Sequence, residues 1–553
     1  MEKQNKKSLA SLFAFREPKK YNNFMLKKPS ESPSDVPEEK TKISKSLSKN
    51  LEYMKGIYSS DLNGDVIIKE FQITLKNVSS DAFIIFYDGM VDRKTVNDSI
   101  LQPLMILSTF EAQTVVGDAI EQVLKRLLPH NQISESQDYR KVIEQINSGD
   151  LALFIDKVDT AVIADVKGWE HRMVGRPNTE LVIRGPQEGF NEVLRVNTAL
   201  VRTIMRDESF IVENLKIGDR GKTNCAVMYV KDVANGVLVE EVKRRIQDIK
   251  VDYIIGSGEL EQFIEDNSYA LAPQVIATER PDRVAELLAD GKVAVMMQGS
   301  PFALVVPATI FDMIHSAEDS FTRFPFTNLA RAVRILGGFF ALLLPGLYIA
   351  ITNFHQEMLP TDLLLAIDVA RQNVPFPTFI EVLILEVSFE MIREAGIRIP
   401  GPIGPTLGII GALILGQAAV AANIVSPILI IIVAITGIGS FTIPNYSFAL
   451  ALRLNRFIYI FLGATMGLLG ITAGIYVHGL FLCNTKSFGV PIFSPFAPQT
   501  EGGPTNELYM PPRWKQEERP SYLNTKSNKK QPKVARKWTQ KNGEGGVSGG
   551  EQG

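Results

Sequence analysis

Apolar and polar positions alternate differently in three zones of the chain. From about residue 51 to 325, short apolar runs are separated by amphipathic stretches. "AFIIFYDGM" (82–90), "TAVIADV" (160–166), "NCAVMYV" (224–230) and "KVAVMMQGSPFALVVP" (292–307) read as strands, the last a hairpin turning at Gln298-Gly299-Ser300. "GDAIEQVLKRLL" (117–128), "GVLVEEVKRRIQDI" (236–249) and "RPDRVAELLAD" (280–290) carry apolar residues at helical spacing. "GSGEL" (256–260) reads as a plain loop, and Asp88 in "FYDGM" as a turn residue rather than a catalytic one. The mixture predicts an α/β domain over 51–325, of a size that suits two subdomains, with the charged stretch 171–210 as their junction.

From 326 to 485 the pattern becomes strongly apolar. "LGGFFALLLPGLYIAIT" (336–352) is uncharged and preceded by Arg331 and Arg334, which places its start on the cytoplasmic face. "HQEMLPTDLLLAIDVARQNVPFP" (355–377) is too polar for a simple span. Pro360 and Pro375 bracket about three turns of it, as in a re-entrant or interfacial helix. "PTLGIIGALILGQAAVAANIV" (405–425), "PILIIIVAITGIGSFTI" (427–443) and "FIYIFLGATMGLLGITAGIYVHGLFL" (457–482) follow, the last after the basic pair Arg453 and Arg456. These make four to six embedded segments. Positive residues near 334, 393–398, 453–456 and in the tail place all four regions in the cytoplasm, although five simple spans would leave the tail outside. Small residues recur at Gly408, Gly411, Ala412, Gly416 and Ala419, and again at Gly463, Gly467, Gly470 and Gly474, as close helix packing requires.

One embedded segment carries charge. "FIEVLILEVSFEMIREAG" (379–396) holds Glu381, Glu386, Glu390, Arg393 and Glu394. At about 100° per residue, Glu386, Glu390, Arg393 and Glu394 fall on one stripe, with Glu381 apart near the helix start. Charges within a bilayer cost roughly 2.5–3.5 kcal/mol each and face a bundle interior or water. Three readings stay open: a cation-conducting or ligand-gated pathway, a structural network in which Arg393 pairs with Glu390 or Glu386, or an amphipathic helix lying in the interface.

Composition narrows the rest. Residues 1–50, rich in Lys, Ser, Pro and Glu, cannot bury enough apolar surface to offset ordering entropy and read as a disordered, solvated arm. That arm lacks the long apolar core of a signal peptide, so the soluble domain is expected in the cytoplasm. The net charge of −2 averages unlike parts, and the tail 486–553 has eleven Lys and Arg against six Glu. That balance is too dilute for nucleic-acid binding to lead. The two cysteines, Cys225 and Cys483, lie in unlike segments and exclude a disulfide framework or a cysteine zinc site. The five histidines are scattered, and no Walker sequence or G-x-S-x-G elbow occurs. No catalytic residue, cofactor or metal site is expected, and the chain does not read as an enzyme.

Four long motifs supply a resemblance. "RGPQEGFNEVLRVNTALVR" (184–202), "ERPDRVAELLADGKVAVMMQGSPFALVVPATI" (279–310), "FPTFIEVLILEVSFEMIREAGIRIPGPIGPTLGIIGALILGQAAVAANIVSP" (376–427) and "GVPIFSPFAP" (489–498) resemble the A-subunit family of GerA-type spore germinant receptors. "PPRWKQEERPSYL" (511–523) is similar to that family's ending, and the likeness spans about residues 50 to 525. The resemblance implies a two-part cytoplasmic domain, a helical membrane domain and a cytoplasmic tail, in the inner membrane of a dormant endospore. It implies a transporter-like B subunit that carries the nutrient pocket, a lipoprotein C subunit as second partner, and a pentameric assembly acting as a ligand-gated channel. On that footing Glu386, Glu390, Arg393 and Glu394 are candidates for the pore or its gating. Leu363, Leu364 and Ile367 are candidates for an apolar constriction, unless they pack against the next helix. A nutrient transporter, or a scaffold recruiting germination factors, are the competing classes.

Overall fold

The computed structural model describes residues 25–28, 42–75, 78–107, 133–168, 175–177, 179–398, 415–500 and 505–532. The helix expected at 117–128, the glycines at 408 and 411, most of the N-terminal arm and the Gly-rich end lie outside the described residues.

The soluble part contains α1 (Leu47–Ile57), β1 (Val66–Leu75), β2 (Val78–Tyr87), β3 (Ile133–Ser136), α2 (Tyr139–Asn147), β4 (Leu151–Ile155) and β5 (Ala161–Ala164). A second set follows: α3 (Leu194–Ile204), β6 (Phe210–Ile217), β7 (Thr223–Val230), α4 (Gly236–Gln247), α5 (Ser257–Ile264), β8 (Ile276–Thr278), α6 (Pro281–Ala289), β9 (Val293–Met297) and β10 (Ala303–Val306). The first sheet runs β1-β2-β4-β5-β3 and the second β6-β7-β9-β10-β8. The two orders are the same pattern shifted by five, and every pairing in both is antiparallel. The soluble region is therefore one topology used twice.

Each sheet is covered on both faces, so its central strands are apolar at every position rather than alternately. In β7, Cys225 and Val227 face α4 and α5, whereas Ala226 and Met228 face α3 and α6. In the first sheet, Phe83 and Ile85 face α1 and α2, and Ile84 and Phe86 face the opposite core. α3 stitches the halves together. Ala199 enters the first core, Leu194 and Val201 the second, and the buried Arg202 holds Asp65 at the start of β1 at 2.8 Å while its guanidinium lies 4.0 Å from the Tyr87 ring centroid. Asp88 is clamped by Arg93 at 2.7 Å and Arg195 at 2.5 Å, a structural role in the same junction.

Two details depart from the sequence reading. Residues 257–260 open a helix, α5, with Gly256 as its N-cap, instead of a plain loop, because Leu260 and Ile264 find the second core. Part of the arm is ordered: Leu26 is buried in that same core, and its carbonyl accepts from Asn524 Nδ2 at 2.9 Å.

The apolar C-terminal part contains α7 (Phe324–Phe354), α8 (Thr361–Arg371), α9 (Thr378–Arg398), α10 (Pro427–Phe441) and α11 (Tyr446–Asn484). Among the described residues α7 and α11 are long and apolar enough to cross a membrane, and α10 is a shorter apolar helix. α11 does not run straight. Gly467, at φ 60° and ψ −141°, reverses it, so that Tyr459 Oη meets His478 Nδ1 at 3.1 Å. A continuous helix would hold those residues nearly 30 Å apart, by about 1.5 Å of rise per residue. The expected single span 457–482 is thus the end of the outgoing arm, the turn and the return arm of a helical hairpin.

The hairpin also brings the tail back to the α/β domain. Phe448 and Leu452 at the start of α11 pack in the second soluble core beside Ile492 of the tail, while the turn at Gly467 packs on Phe354 and His355 at the far end of α7. After α11, β11 (Lys486–Ser487) and β12 (Val490–Pro491) pair, and Phe488, Val490, Tyr522 and Leu523 fill the second soluble core. The tail and the soluble domain are therefore on the same side of the helices. Small residues set the helix spacing: a Cβ on Gly346 would stand 2.6 Å from the Tyr459 carbonyl oxygen.

Candidate functional site

α9 runs from the far end of α7 back toward the soluble domain. Its start is fixed where Thr378 Oγ1 donates to Asn353 at 3.0 Å, and its later turns lie under α10, where Phe389 fills the space left by Gly437. This orientation turns the charged stripe inward. Val382 and Leu385 join the apolar cluster of Tyr348, Leu429 and Ile460, and Glu386 is buried with them at 0% exposure.

Arg456 of α11, 1% exposed, faces it. Its Nη2 lies 3.0 Å from Glu386 Oε2 and 2.9 Å from Glu390 Oε1. Glu390 is also held by Arg393 one turn on, and Arg453 stands 3.7 Å away. Two carboxylates and three guanidiniums thus share one layer between α9 and α11. Glu394 is exposed at the helix surface and lies outside that layer. Two ionised groups taken from water gain little net stability unless their hydrogen bonds are completed. Here they are not: both Glu386 oxygens and Arg456 Nε lack an aligned hydrogen bond among the described residues.

Glu381 forms a second polar point, fully buried. Arg371 at the end of α8 approaches it at 3.4 Å, and the Ser426 amide at the N-terminus of α10 donates to it at 3.1 Å. A carboxylate there also meets the positive end of the helix dipole. α9 is consequently tied by charge to α8 and α10 at one level and to α11 at another.

The apolar candidates differ in exposure: Ile367 is 4% exposed, Leu364 half-buried and Leu363 46% exposed. At about 100° per residue Leu363 shares its side of α8 with Ile367, while Leu365 and Val369, 57% and 69% exposed, lie on another side. The charge layer and α8 meet indirectly, through α9. Arg453 and Arg456, which by position alone read as loop charges marking the cytoplasmic face, are both buried against acidic residues. A basic residue facing an acidic stripe across apolar helices was the available signal. Among the described residues, no group of three or more His, Cys, Asp or Glu side chains is placed to hold a metal ion.

Comparison with known proteins decides the family. The model of the Bacillus/Clostridium GerA spore germination protein family matches residues 52–522. The chain belongs to this family. It is 38% identical over 495 residues to Spore germination protein KA of Bacillus subtilis (strain 168), covering 89% of this chain and 90% of that protein. It is 37% identical to the Uncharacterized membrane protein YfkQ of the same organism, covering 86% and 91%. The crystal structure of the N-terminal domain of the A subunit of the Bacillus megaterium spore germinant receptor GerK3 aligns at 28% identity and a TM-score of 0.39, over 49% of this chain and 98% of that one. In this GerA-family chain the charge layer joins two elements of the matched region, α9 and α11.

Proposed function

We propose that this chain is the A subunit of a nutrient germinant receptor in the inner membrane of an endospore, with its soluble domain and tail in the cytoplasm. It acts with a transporter-like B subunit, which binds the nutrient, and a lipoprotein C subunit. Several copies, five in the family's proposed assembly, surround a path for monovalent cations that opens when the B subunit is occupied. The observation that carries this reading is the Glu386–Arg456–Glu390 layer, buried between apolar helices and short of aligned hydrogen bonds.

In this reading the layer is a latch rather than the pore wall. It holds α9 on α11, and α9 carries α8 through Glu381 and Arg371. The exposed Leu363 of α8 provides the apolar constriction, and a shift of α9 moves it. A scaffold would need the layer for assembly alone. A transporter would need it for uptake.

The test is nutrient-triggered potassium release from spores carrying Glu386→Gln, with protein level checked. Gln keeps the shape and removes the charge that holds Arg456. Slowed, abolished or spontaneous release is expected. Unchanged release at normal protein level would remove the latch from the gating machinery.

A further inference from the structure

The two arms of α11 do not close completely. Between them, at the end next to the soluble domain, is a cleft of about 810 Å³. Ile458 and Leu462 of the outgoing arm and Val477 and Phe481 of the returning arm line its sides, and the loop 266–272 of the second soluble subdomain closes the watery end. Val477 and Phe481 are themselves 48% and 58% exposed, so the cleft opens sideways onto the same apolar surface as the outer face of the hairpin.

Polarity is graded along it. The inner stretch is apolar, broken by the Tyr459–His478 hydrogen bond at 3.1 Å. At the watery end lies Lys486, with no ion-pair partner among the described residues, and Tyr269, 83% exposed. Asp266 lines the same end, but its carboxylate is engaged by Arg245 at 2.7 Å and by the Phe488 amide at 2.5 Å. The end is therefore left with an uncompensated ammonium and an exposed aromatic ring, the side chains that sit at headgroup level. A cavity with an apolar depth, a lateral opening and a cationic mouth fits an anionic amphiphile.

We propose that this cleft binds an anionic phospholipid of the leaflet next to the soluble domain, an acyl chain between the arms of α11 and the phosphate at Lys486 Nζ. The lipid touches the hairpin and the loop 266–272 together, so it cements the soluble domain to the membrane helices. The inference needs the chain to be membrane-embedded and does not depend on ion conduction.

The full-length protein in nanodiscs, with a trace of phospholipid bearing a diazirine in its acyl chain, tests it by photolysis and peptide mapping. Labelling is expected to concentrate on the cleft faces of α11, about five-fold more from a phosphatidylglycerol than from a phosphatidylcholine probe, as one lysine at an anionic surface implies. Lys486→Gln should abolish that preference. Ala473→Trp, which projects into the cleft from an exposed position, should abolish cleft labelling. Labelling spread evenly over the outer faces of α7, α10 and α11 would overturn the proposal. So would cleft labelling by both probes alike, or cross-links from Val477 to a second copy of the chain in place of lipid. If Ala473→Trp does not fold, the headgroup contrast in Lys486→Gln still decides.

Discussion

At the foot of α7, Asp319 accepts from Arg331 at 3.2 Å and from Arg334 at 2.8 Å, and Arg331 also donates to the Glu507 carbonyl at 3.2 Å. Deeper along the helices, Glu386 faces Arg456 at 3.0 Å with neither carboxylate oxygen in an aligned hydrogen bond. Both clusters are buried, and both join separate elements. The first is completed by backbone and side-chain partners, so it fastens the α/β domain to the first long apolar helix. The second holds charge against charge with little else, and such pairs contribute specificity of arrangement more than stability. A cluster that gains little by staying together changes partners easily. That is the property a latch needs and an anchor does not.

The sharpest way to break this contrast is to remove one half of the inner cluster. Arg456→Leu leaves Glu386 and Glu390 buried with less counter-charge and is expected to cost about 3–5 kcal/mol, read as a lower melting temperature of the detergent-solubilised chain. Glu386→Leu combined with Arg456→Leu should recover most of that loss, because Glu390 keeps Arg393 and Arg453. The repaired protein should still fail to respond to nutrient. A double variant as unstable as the single one would make the inner cluster an anchor after all.

Asp319→Asn tests the other side. It keeps the shape but removes the charge that two guanidiniums share, with an expected cost of about 1.5–3 kcal/mol. Hydrogen exchange should rise first in the opening turns of α7 and in the docked tail.

The same joint predicts a pH signature. Burial, with Arg331 nearby, lowers His315 to about 4, and its Nε2 lies 2.9 Å from the Glu507 carbonyl. Burial, reinforced by Asp312 and opposed by Lys292 and Arg331, raises Glu507 to about 7. The depressed histidine gives stability that is present above its ordinary value of 6.5 and lost as pH falls toward 4. The raised glutamic acid gives stability that is present below 4.5 and lost as pH climbs through 7. The two slopes oppose each other between 4.5 and 6.5, so wild-type tail docking should be nearly flat there. In His315→Gln it should weaken as pH rises across that window, and in Glu507→Gln it should strengthen, both measured by exchange of the tail amides.

Much of this architecture was legible because it rests on local periodicity. The strands at 224–230 and 292–307 are legible as short unbroken apolar runs bounded by turn residues, and the stripe of charge on 386–394 follows from the 3.6-residue period. What was not legible rests on distance or on a single torsion. Arg456 reads the same as a loop charge or as a buried partner until α9 is placed beside it. Gly467 sits in a run of packing glycines, and only its positive φ distinguishes a turn from a contact. The shared strand order of the two sheets has no counterpart in residue spacing. Leu26 and the pair Tyr522-Leu523 sit in short apolar patches of otherwise polar segments, too brief to carry a period that would signal entry into the second core.

The smallest stability effect is expected where the proposed function is most exposed. Ile367 and Leu363 lie one turn apart on α8, the first 4% and the second 46% exposed. Ile367→Ala should cost about 2–5 kcal/mol by leaving a cavity at a buried position, which makes it useless as a probe of conduction. Leu363→Ser should change the melting temperature little, within about 0.5 kcal/mol, because the side chain has few partners to lose. An apolar constriction, however, is closed by its lack of affinity for water, and one hydroxyl per copy around a ring wets it. Cation release in spores carrying Leu363→Ser should then begin without nutrient, or faster with it, from a protein as stable as the wild type. If release is unchanged while stability is too, the exposed Leu363 belongs to lipid or to a neighbouring subunit. The latch at Glu386 would then have to act on some other wall.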